Sequence, residues 1–441
     1  MSDDEPRETP STVSPSGPVK ERNRIGALDV VRGFALLGIL FVNMRFFAMP
    51  LGLYEQWLPA EDATTLDVLA HWFIKIFCES KFYPLYAMLF GMGLVLQRTS
   101  ALKRGRAFVP LYLRRLAVLF AIGLVHAILL WYGDILVVYS VAGLTLLCFA
   151  RATARSLITV GVVLIGLTTV VIALVALVIP PTVPADAASV PILTEGTPLA
   201  RLFETFQDTE HPFTGPADPR WMAYETEAYR EGPFVQALGF RAMSYVGSIV
   251  TVYILGGVGL HVLGMFSLGA GLMKLGIFDP DKRALRRRLA LAGLLVGLPL
   301  VVVGAFLPLA VAGAGGEVPR DVLQCVGGSL MSLGYLAGVI LLVQGGRFVR
   351  LTRTVASAGR MGLTGYLSET LLVTGLMYWW GFGLFGTISP AGEVGLTLVA
   401  YAAVVLISTL WLRVALFGPL EWAWRWLTYL RRPPLLRGGG A

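Results

Sequence analysis

The chain has 441 residues, of which 56% are hydrophobic and only 15% charged, and its mean hydropathy is +0.70. A soluble globular domain carries roughly a quarter charged residues, so this composition argues against an ordinary soluble enzyme or binding domain. The net charge of +8 does not indicate a nucleic-acid partner, because the lysines and arginines form short clusters between apolar runs and are not gathered on one face or tail.

The chain begins with residues 1–24, which are rich in proline, serine and charge and are predicted to form a disordered tail. Apolar runs follow, several of them long enough to cross a bilayer, which takes about 20 residues. Because backbone polar groups must be satisfied internally in lipid, these runs predict an all-α polytopic transmembrane helical bundle with about ten spanning helices. The runs cover residues 26–48, 80–97, 110–132, 134–150, 156–179, 242–272, 289–312, 322–344, 359–384 and 392–414.

The density of lysine and arginine alternates between successive loops, which predicts the orientation of the chain. With the N-terminus on the cytoplasmic side, 27 of the 36 basic residues lie in inside segments and 8 lie in outside segments. This asymmetry follows the positive-inside rule and puts the C-terminus in the cytoplasm as well. We therefore expect a multi-pass membrane protein whose partners include membrane lipids.

The runs divide the chain into two bundles. Residues 25–179 hold the first five helices, with an external segment at 49–79 whose apolar positions suggest a helix in the membrane interface. Residues 180–241 form an extracytoplasmic loop, and long ordered loops are often functional. Residues 242–432 hold five more helices and end in a short amphipathic stretch of tryptophan and arginine, typical of an interfacial helix. Residues 433–441 are predicted to be a tail.

Ionisable residues inside spans are the most informative ones, because burying them in lipid is costly. Asp29 and Arg32 stand three residues apart on one face of the first helix, where they form either a structural ion pair or a site for an anionic ligand group. Asn43 lies further along the same helix, roughly 16 Å from Arg32 and near the outer surface. A hydrogen bond between helices is the simplest role for Asn43.

His126 is one of four histidines and lies inside the third predicted helix, and Asp134 follows it at a tight turn that contains Gly133. A histidine in a span serves as a general base, a proton relay or a hydrogen-bonded packing residue. Asp134 is suitably placed to cap the fourth helix. If one helix continued through both residues they would be roughly 12 Å apart, so the sequence does not predict that they meet.

Two further charged residues are candidates for a site. Lys81 stands at the outer start of the second helix, and Glu369 lies within the ninth. An unpaired carboxylate at Glu369 would be costly, so we expect it to face the bundle interior or a wet cavity, as a neutral acid or with a partner. The three cysteines lack metal-ligand spacing, and the sequence has no phosphate-loop, HExxH or GxSxG motif. We expect no bound metal and no bound cofactor.

Four blocks of the sequence resemble one family. The blocks are RIGALDVVRGFALLGILFVN at 24–43, SKFYPLYAMLFGMG at 80–93, RRLAVLFAIGLVHAILLWYGDILVVYSVAG at 114–143, and GRMGLTGYL, GFGLFG and FGPLEWAWRWLTY across 359–429. Together they resemble the YeiB family of bacterial inner-membrane proteins, whose C-terminal half is known as domain of unknown function 418. The resemblance covers nearly the whole chain except the tail and part of the 180–220 loop.

The opening helix of that family is similar to that of transmembrane acyltransferases. This implies transfer of an acyl group from a cytoplasmic acyl-CoA, as co-substrate, to a lipid or glycan acceptor of the envelope, in the bacterial cytoplasmic membrane. The family pattern covers Asp29, Arg32, Gly33, Asn43, His126, Gly133, Asp134, Arg360, Tyr366, Gly418, Pro419, Glu421 and Trp422. The family commonly has asparagine before the tyrosine at 366, whereas this chain has Gly365, so any substrate-binding role of that asparagine is missing here or has moved.

The leading hypothesis is therefore an acyl-transfer enzyme, with His126 as the general base and the arginines at 98–115 and 347–360 facing the phosphates of the donor. The alternative is a transporter or exporter of a small or lipid-linked solute, although the sequence shows no convincing internal repeat. A non-catalytic envelope scaffold is a third hypothesis. The predicted catalytic residues are His126 and Asp134, and the predicted substrate-binding residues are Asp29, Arg32, Asn43, Lys81, Tyr366, Glu369 and Glu421.

Overall fold

The computed structural model describes residues 26–55, 62–178, 192–311 and 314–437. The predicted tail at 1–24 lies outside these residues, as do parts of the predicted 49–79 and 180–241 segments and the last four residues of the chain. The described residues form helices and contain no β-strand, only one isolated β-bridge between Ala415 and Leu436. The predicted all-α bundle is confirmed.

Eighteen α-helices make up the described chain. The first nine are α1 Gly26–Ala48, α2 Leu51–Glu55, α3 Thr65–Phe73, α4 Phe82–Lys103, α5 Phe108–Val125, α6 Leu136–Leu147, α7 Ala154–Val178, α8 Pro198–Gln207 and α9 Pro219–Glu231. The others are α10 Phe234–Ser248, α11 Val258–Lys274, α12 Arg283–Ala292, α13 Leu298–Ala310, α14 Ala314–Gln344, α15 Val349–Arg360, α16 Gly362–Met377, α17 Pro390–Val414 and α18 Pro419–Tyr429.

Many of these helices have the length and composition of membrane spans. Within the described ranges, eight continuous helical stretches are long and apolar enough to cross a bilayer, and α6 and α11 are shorter apolar helices. Long helices with largely apolar, lipid-compatible surfaces are the form that a chain takes when it crosses a membrane repeatedly. The chain is a multi-pass membrane protein. The eight stretches are Gly26–Ala48, Thr65–Lys103, Phe108–Leu130, Ala154–Val175, Phe234–Leu255, Pro280–Ala310, Val318–Gln344 and Pro390–Val414.

The apolar run at 242–272 is not one helix, as the sequence suggested, but two. A π-helical segment, Ile249–Leu255, extends α10 and stops at Gly256, and α11 starts afresh after Gly257. Gly257 has a φ of +70°, a left-handed conformation that glycine adopts at little cost and that ends a helix. The run contains several glycines that do continue a helix, so composition alone did not reveal the one that breaks it.

Two close helix contacts hold the bundle together. α1 packs against α15, where a Cβ on Gly359 would overlap the carbonyl oxygen of Asp29 and a Cβ on Gly33 would overlap that of Val355. α4 packs against α11 in the same way through Gly91 and Gly269. Small residues let the helix backbones approach closely and make more van der Waals contacts. These contacts matter in a bilayer, because lipid tails are as apolar as the side chains and the hydrophobic effect does not drive the helices together.

The two ends of the bundle differ in character. We call the end that carries Lys103 at the close of α4, the start of α5 and the whole of α18 the basic face. Lys274, at the end of α11, reaches the carbonyl of Ala150 there at 3.1 Å, and Trp424 of α18 donates to the carbonyl of Arg115 at 2.9 Å. We call the other end, which carries α8 and α9, the loop face.

The loop face is an ordered layer built on buried polar contacts. Arg230 of α9 donates to the carbonyl of Phe385 at 2.7 and 3.0 Å. Glu225, only 1% exposed, accepts hydrogen bonds from the Leu51 amide and from the Trp221 indole. Burial raises the pKa of Glu225 to about 7. These contacts tie α9 to the segments that follow α1 and α16, so this layer closes the end of the bundle.

Candidate functional site

A cavity of about 360 Å³ enters the bundle at the basic face. Its outer end lies between the end of α4 and the start of α5, near Arg104 and Arg106. Its inner wall is made largely of apolar and aromatic side chains. These are Leu36, Ile39, Leu89, Phe90, Leu119, Leu136, Tyr139 and Tyr366. The cavity therefore changes from a charged entrance to an apolar interior.

Six arginines from five different segments line this cavity, together with only two carboxylates, Asp29 and Glu421. Arg115 is fixed in the wall, because its guanidinium lies 3.5 Å from the centre of the Trp424 ring. Guanidinium groups recognise phosphate by paired hydrogen bonds, and a cavity with this charge excess attracts anions. The six are Arg32, Arg104, Arg106, Arg115, Arg360 and Arg425.

The predicted pair of Asp29 and Arg32 is present and lies in this cavity. The two side chains are 3.3 Å apart, and Asp29 is buried while the side chain of Arg32 is 28% exposed. An ion pair with one partner open to a cavity leaves guanidinium donors free to meet a ligand. The pair therefore makes a structural contact and also presents the Arg32 guanidinium to the cavity. The geometry is compatible with a structural ion pair and with a site for an anionic ligand group.

His126 and Asp134 meet directly. Nδ1 of His126 lies 2.8 Å from Oδ2 of Asp134, and both side chains are fully buried. The second oxygen of Asp134 accepts the Val137 amide at 2.9 Å, so Asp134 also caps α6. The other ring nitrogen of His126 lies 3.0 Å from the hydroxyl of Thr370. In the tautomer in which Nδ1 donates to the Asp134 carboxylate, Nε2 is left as an acceptor.

The backbone explains why this contact was not evident in the sequence. α5 ends at Val125, and residues His126–Leu130 form a π-helical turn before the chain reverses. Gly133 sits in the reversal, where a Cβ would overlap the Trp131 ring. One continuous helix would have kept His126 and Asp134 apart, whereas the reversal folds the carboxylate back onto the imidazole. π-helical turns of this kind often occur at functional sites.

Tyr366 links the cavity to the buried His126. Its side chain lines the inner wall, and its ring centre is 5.1 Å from that of His126. Glu369 follows on the same helix, α16, and is 2% exposed. Its Oε1 has no hydrogen-bond partner among the described residues. A Cβ on Gly365 would lie 2.8 Å from a methyl group of Leu36, so at this position the cavity wall leaves little room for a larger side chain.

The other predicted substrate residues lie elsewhere or have structural partners. Lys81 is fully buried beside α14, where its ammonium donates to the Lys75 carbonyl at 2.9 Å and to Gln324 at 3.2 Å. Asn43 is partly buried towards the loop face and does not line the cavity. Glu421 lines the cavity, but its carboxylate caps α16 by accepting the amides of Leu363 and Thr364 and the Thr364 hydroxyl.

Sequence reasoning missed several residues of the site. Thr370, the partner of His126, has no distinguishing pattern on α16. Arg425 belongs to the stretch interpreted as an interfacial helix, whereas Arg104 and Arg115, which line the same cavity, lie within the 98–115 cluster expected to face the donor. Their convergence depends on how four separate helices pack, which no local signal reports. In the part of the chain that the structure describes, no group of three or more His, Cys, Asp or Glu residues could hold a metal ion.

Comparison with known proteins gives a consistent result. Residues 272–431 match the model of a family described as "Protein of unknown function (DUF418)". The chain is 29% identical to "Uncharacterized protein YxaH" of Bacillus subtilis over 430 residues, which is 95% of this chain and 98% of that protein. It is also 29% identical to "Uncharacterized protein YeiB" of Escherichia coli over 424 residues, which is 93% of this chain and 97% of that protein. None of these descriptions names an activity.

Proposed function

We propose that this chain, which belongs to the YeiB and DUF418 family, is an acyltransferase that moves an acyl group from a cytoplasmic acyl-CoA to a lipid or glycan acceptor of the cell envelope. The observation that carries the proposal is the cavity with an arginine-rich entrance and an apolar inner wall that ends at Tyr366, beside His126. The basic face is the cytoplasmic one by the positive-inside rule, and the membrane is the bacterial cytoplasmic membrane.

The two ends of the cavity fit the two ends of an acyl-CoA. The nucleotide part of that molecule carries several phosphate charges, and six arginines line the cavity, some at its entrance. The acyl chain and thioester are apolar, and the inner wall offers leucines and aromatic rings. A ligand that is anionic at one end and apolar at the other would match this gradient, whereas a small uniformly charged solute would leave the inner wall without a partner.

His126 is suited to act as the general base. Nε2 would take a proton from the acceptor hydroxyl or amine as its oxygen or nitrogen attacks the thioester carbonyl. The carbon–sulfur bond then breaks, and the imidazolium returns the proton to the CoA thiolate. Asp134 holds the ring in the required tautomer and stabilises the imidazolium. The Thr370 hydroxyl competes for the same lone pair of Nε2, so it must rotate away when an acceptor binds.

Binding of CoA by the purified full-length chain in detergent tests the proposal. We expect saturable binding of acyl-CoA that free CoA displaces, and at least a tenfold loss of affinity in the double variant Arg104→Gln and Arg106→Gln. The matched control is the double variant Arg350→Gln and Arg353→Gln on α15, whose exposed arginines do not line the cavity. Equal loss of affinity in both variants would mean that general charge, and not the cavity, attracts CoA.

One observation favours the transporter hypothesis, and the same preparation tests it. Glu369 is a buried carboxyl group with an oxygen that lacks a hydrogen-bond partner within the described residues, a feature of proton-coupled transport sites. Solute flux into liposomes that contain no CoA, lost in Glu369→Gln, would favour transport. Acyl transfer that persists in Glu369→Gln, without any such flux, would favour the enzyme.

A further inference from the structure

Arg241 on α10 is a buried arginine at the loop face. It is 2% exposed. Its Nε donates to the carbonyl of Ile128 at 3.3 Å, and its guanidinium lies 5.2 Å from the centre of the Phe234 ring. Its Nη2 has no hydrogen-bond partner among the described residues. A guanidinium taken out of water is expensive unless an anion or several acceptors surround it.

The other buried arginines of the described chain have such partners. Three face a carboxylate: Arg45 faces Glu393, Arg201 faces Glu227, and Arg220 faces Asp218. Arg286 has no carboxylate, but its Nη1 donates to the carbonyls of Ile277 and Asp279, both at 2.7 Å. Arg241 differs from all four, because a single backbone carbonyl, that of Ile128, is its only hydrogen-bond acceptor among the described residues.

The neighbours of Arg241 are hydrogen-bond donors. The rings of Tyr229 and Tyr378 are stacked with their centres 4.6 Å apart. Burial raises the pKa of both hydroxyls, and the Arg241 guanidinium is near enough for its positive charge to oppose that rise. Neither hydroxyl has a hydrogen-bond partner in the described part of the chain. The nearby Glu225 accepts from Leu51 and Trp221 on one oxygen, so its carboxylate is held by other groups.

This cluster lies on the far side of His126 from the arginine cavity. Ile128, which Arg241 contacts, is two residues beyond His126 on the same π-helical turn. A molecule held by Arg241 would therefore approach His126 from the loop face, while a molecule in the cavity would approach it from the basic face.

We infer that Arg241, Tyr229 and Tyr378 form a binding site for an anionic group, a carboxylate or a phosphate ester, on the acceptor molecule. The inference rests on the proposed acyl transfer and names the chemistry of its second substrate. One guanidinium and two hydroxyl donors suit the several acceptor oxygens of such a group. The side chains are closed off from solvent, so the covering segments must separate before a ligand enters and binding should be slow.

The test is anion-dependent stabilisation of the full-length chain in neutral detergent, with and without saturating CoA. Glycerol 3-phosphate and glycolate serve as the phosphate and carboxylate probes, with sodium chloride at equal ionic strength as the blank. We expect one of them to raise Tm saturably, with at least a tenfold weaker apparent affinity in Arg241→Gln and a smaller loss in Arg241→Lys. Competition by phosphatidylglycerol would identify a lipid-borne group, and its absence a soluble or glycan-borne one.

Arg104→Gln is the matched control, since it changes the cavity and leaves the loop face intact. It should weaken the response to CoA and leave the response to the anion unchanged. A failure of CoA to bind, with the anion response intact, would refute the donor proposal alone. No saturable response to either probe in the unmodified chain, or an unchanged response in an Arg241→Gln protein that still binds CoA, would overturn the inference.

Discussion

The two faces of the bundle use arginine in opposite ways. At the basic face six arginines share one cavity with two carboxylates, one of which caps a helix. At the loop face the buried arginines Arg45, Arg201 and Arg220 are matched individually with carboxylates. A matched pair fixes structure, whereas an excess of one sign raises the local concentration of oppositely charged ligands. The comparison separates arginines paired with a carboxylate from arginines that line a cavity, and it makes Arg241 the exception among the buried arginines of the loop face.

The largest expected effect is at His126, between the two regions. We predict that His126→Ala abolishes acyl transfer in a reconstituted assay, because the proposed mechanism needs the imidazole to accept the proton of the acceptor group, while expression and CoA affinity stay normal. Thr370→Val is the control: it removes the competing hydroxyl and keeps the imidazole and Asp134, so substantial activity should remain. Full activity in His126→Ala would make this histidine a packing residue.

The next effect concerns a matched arginine. Arg220 donates to Asp218 at 2.8 Å and to Asp208 at 3.0 Å, and Asp218 is buried. Arg220→Leu leaves that carboxylate without its cation, and we expect a loss of about 3–5 kcal/mol in stability. Arg106→Gln, at the basic face, should change stability by less than about 0.5 kcal/mol, because Arg106 faces the cavity and is not part of a buried ion pair. Thermal unfolding of both variants in detergent measures the difference between a paired arginine and a cavity arginine. Similar Tm values for the two variants would contradict the prediction.

The raised pKa of Glu225 predicts that the stability of the chain depends on pH through this residue of the loop face. Burial raises its pKa from 4.5 to about 7, so the folded chain holds a proton between these values that the unfolded chain has lost. Stability should therefore be higher at pH 5 and decline as pH rises through 7, by up to about 3 kcal/mol. Glu225→Gln should reduce the slope of the Tm profile between pH 5 and 8, and the exposed Glu231→Gln should leave the slope unchanged. An unchanged slope in Glu225→Gln would refute this origin.

The smallest effect on stability is expected at Asp29 and Arg32. Replacing both with apolar residues of similar size should be nearly neutral for folding, since removing both partners of the ion pair leaves no uncompensated charge. If Arg32 meets the donor, the same variant should bind CoA weakly, and Arg32→Lys should also lose affinity because lysine lacks the planar, two-pronged contact. A stable, fully active double variant would make the pair purely structural.

The sequence by itself determined what is local along the chain. Apolar runs of span length predicted the helical bundle, and four sequence blocks predicted the family, because hydropathy and motif identity need no knowledge of neighbours. The sequence also indicated Asp29 with Arg32, since residues three apart on a helix share a face. It failed at the run 242–272, where one glycine among several adopts a positive φ.

Only the tertiary structure decided which distant residues meet. The contact of His126 with Asp134 depends on a π-helical turn and a chain reversal, and its Thr370 partner comes from α16. The six cavity arginines come from α1, α15, α18, α5 and the segment after α4, and Arg241 stands out only when the partners of every other buried arginine are known. Such contacts arise from packing between helices that are far apart in the chain. Their energies depend on how those helices are positioned relative to one another, which no single stretch of sequence specifies.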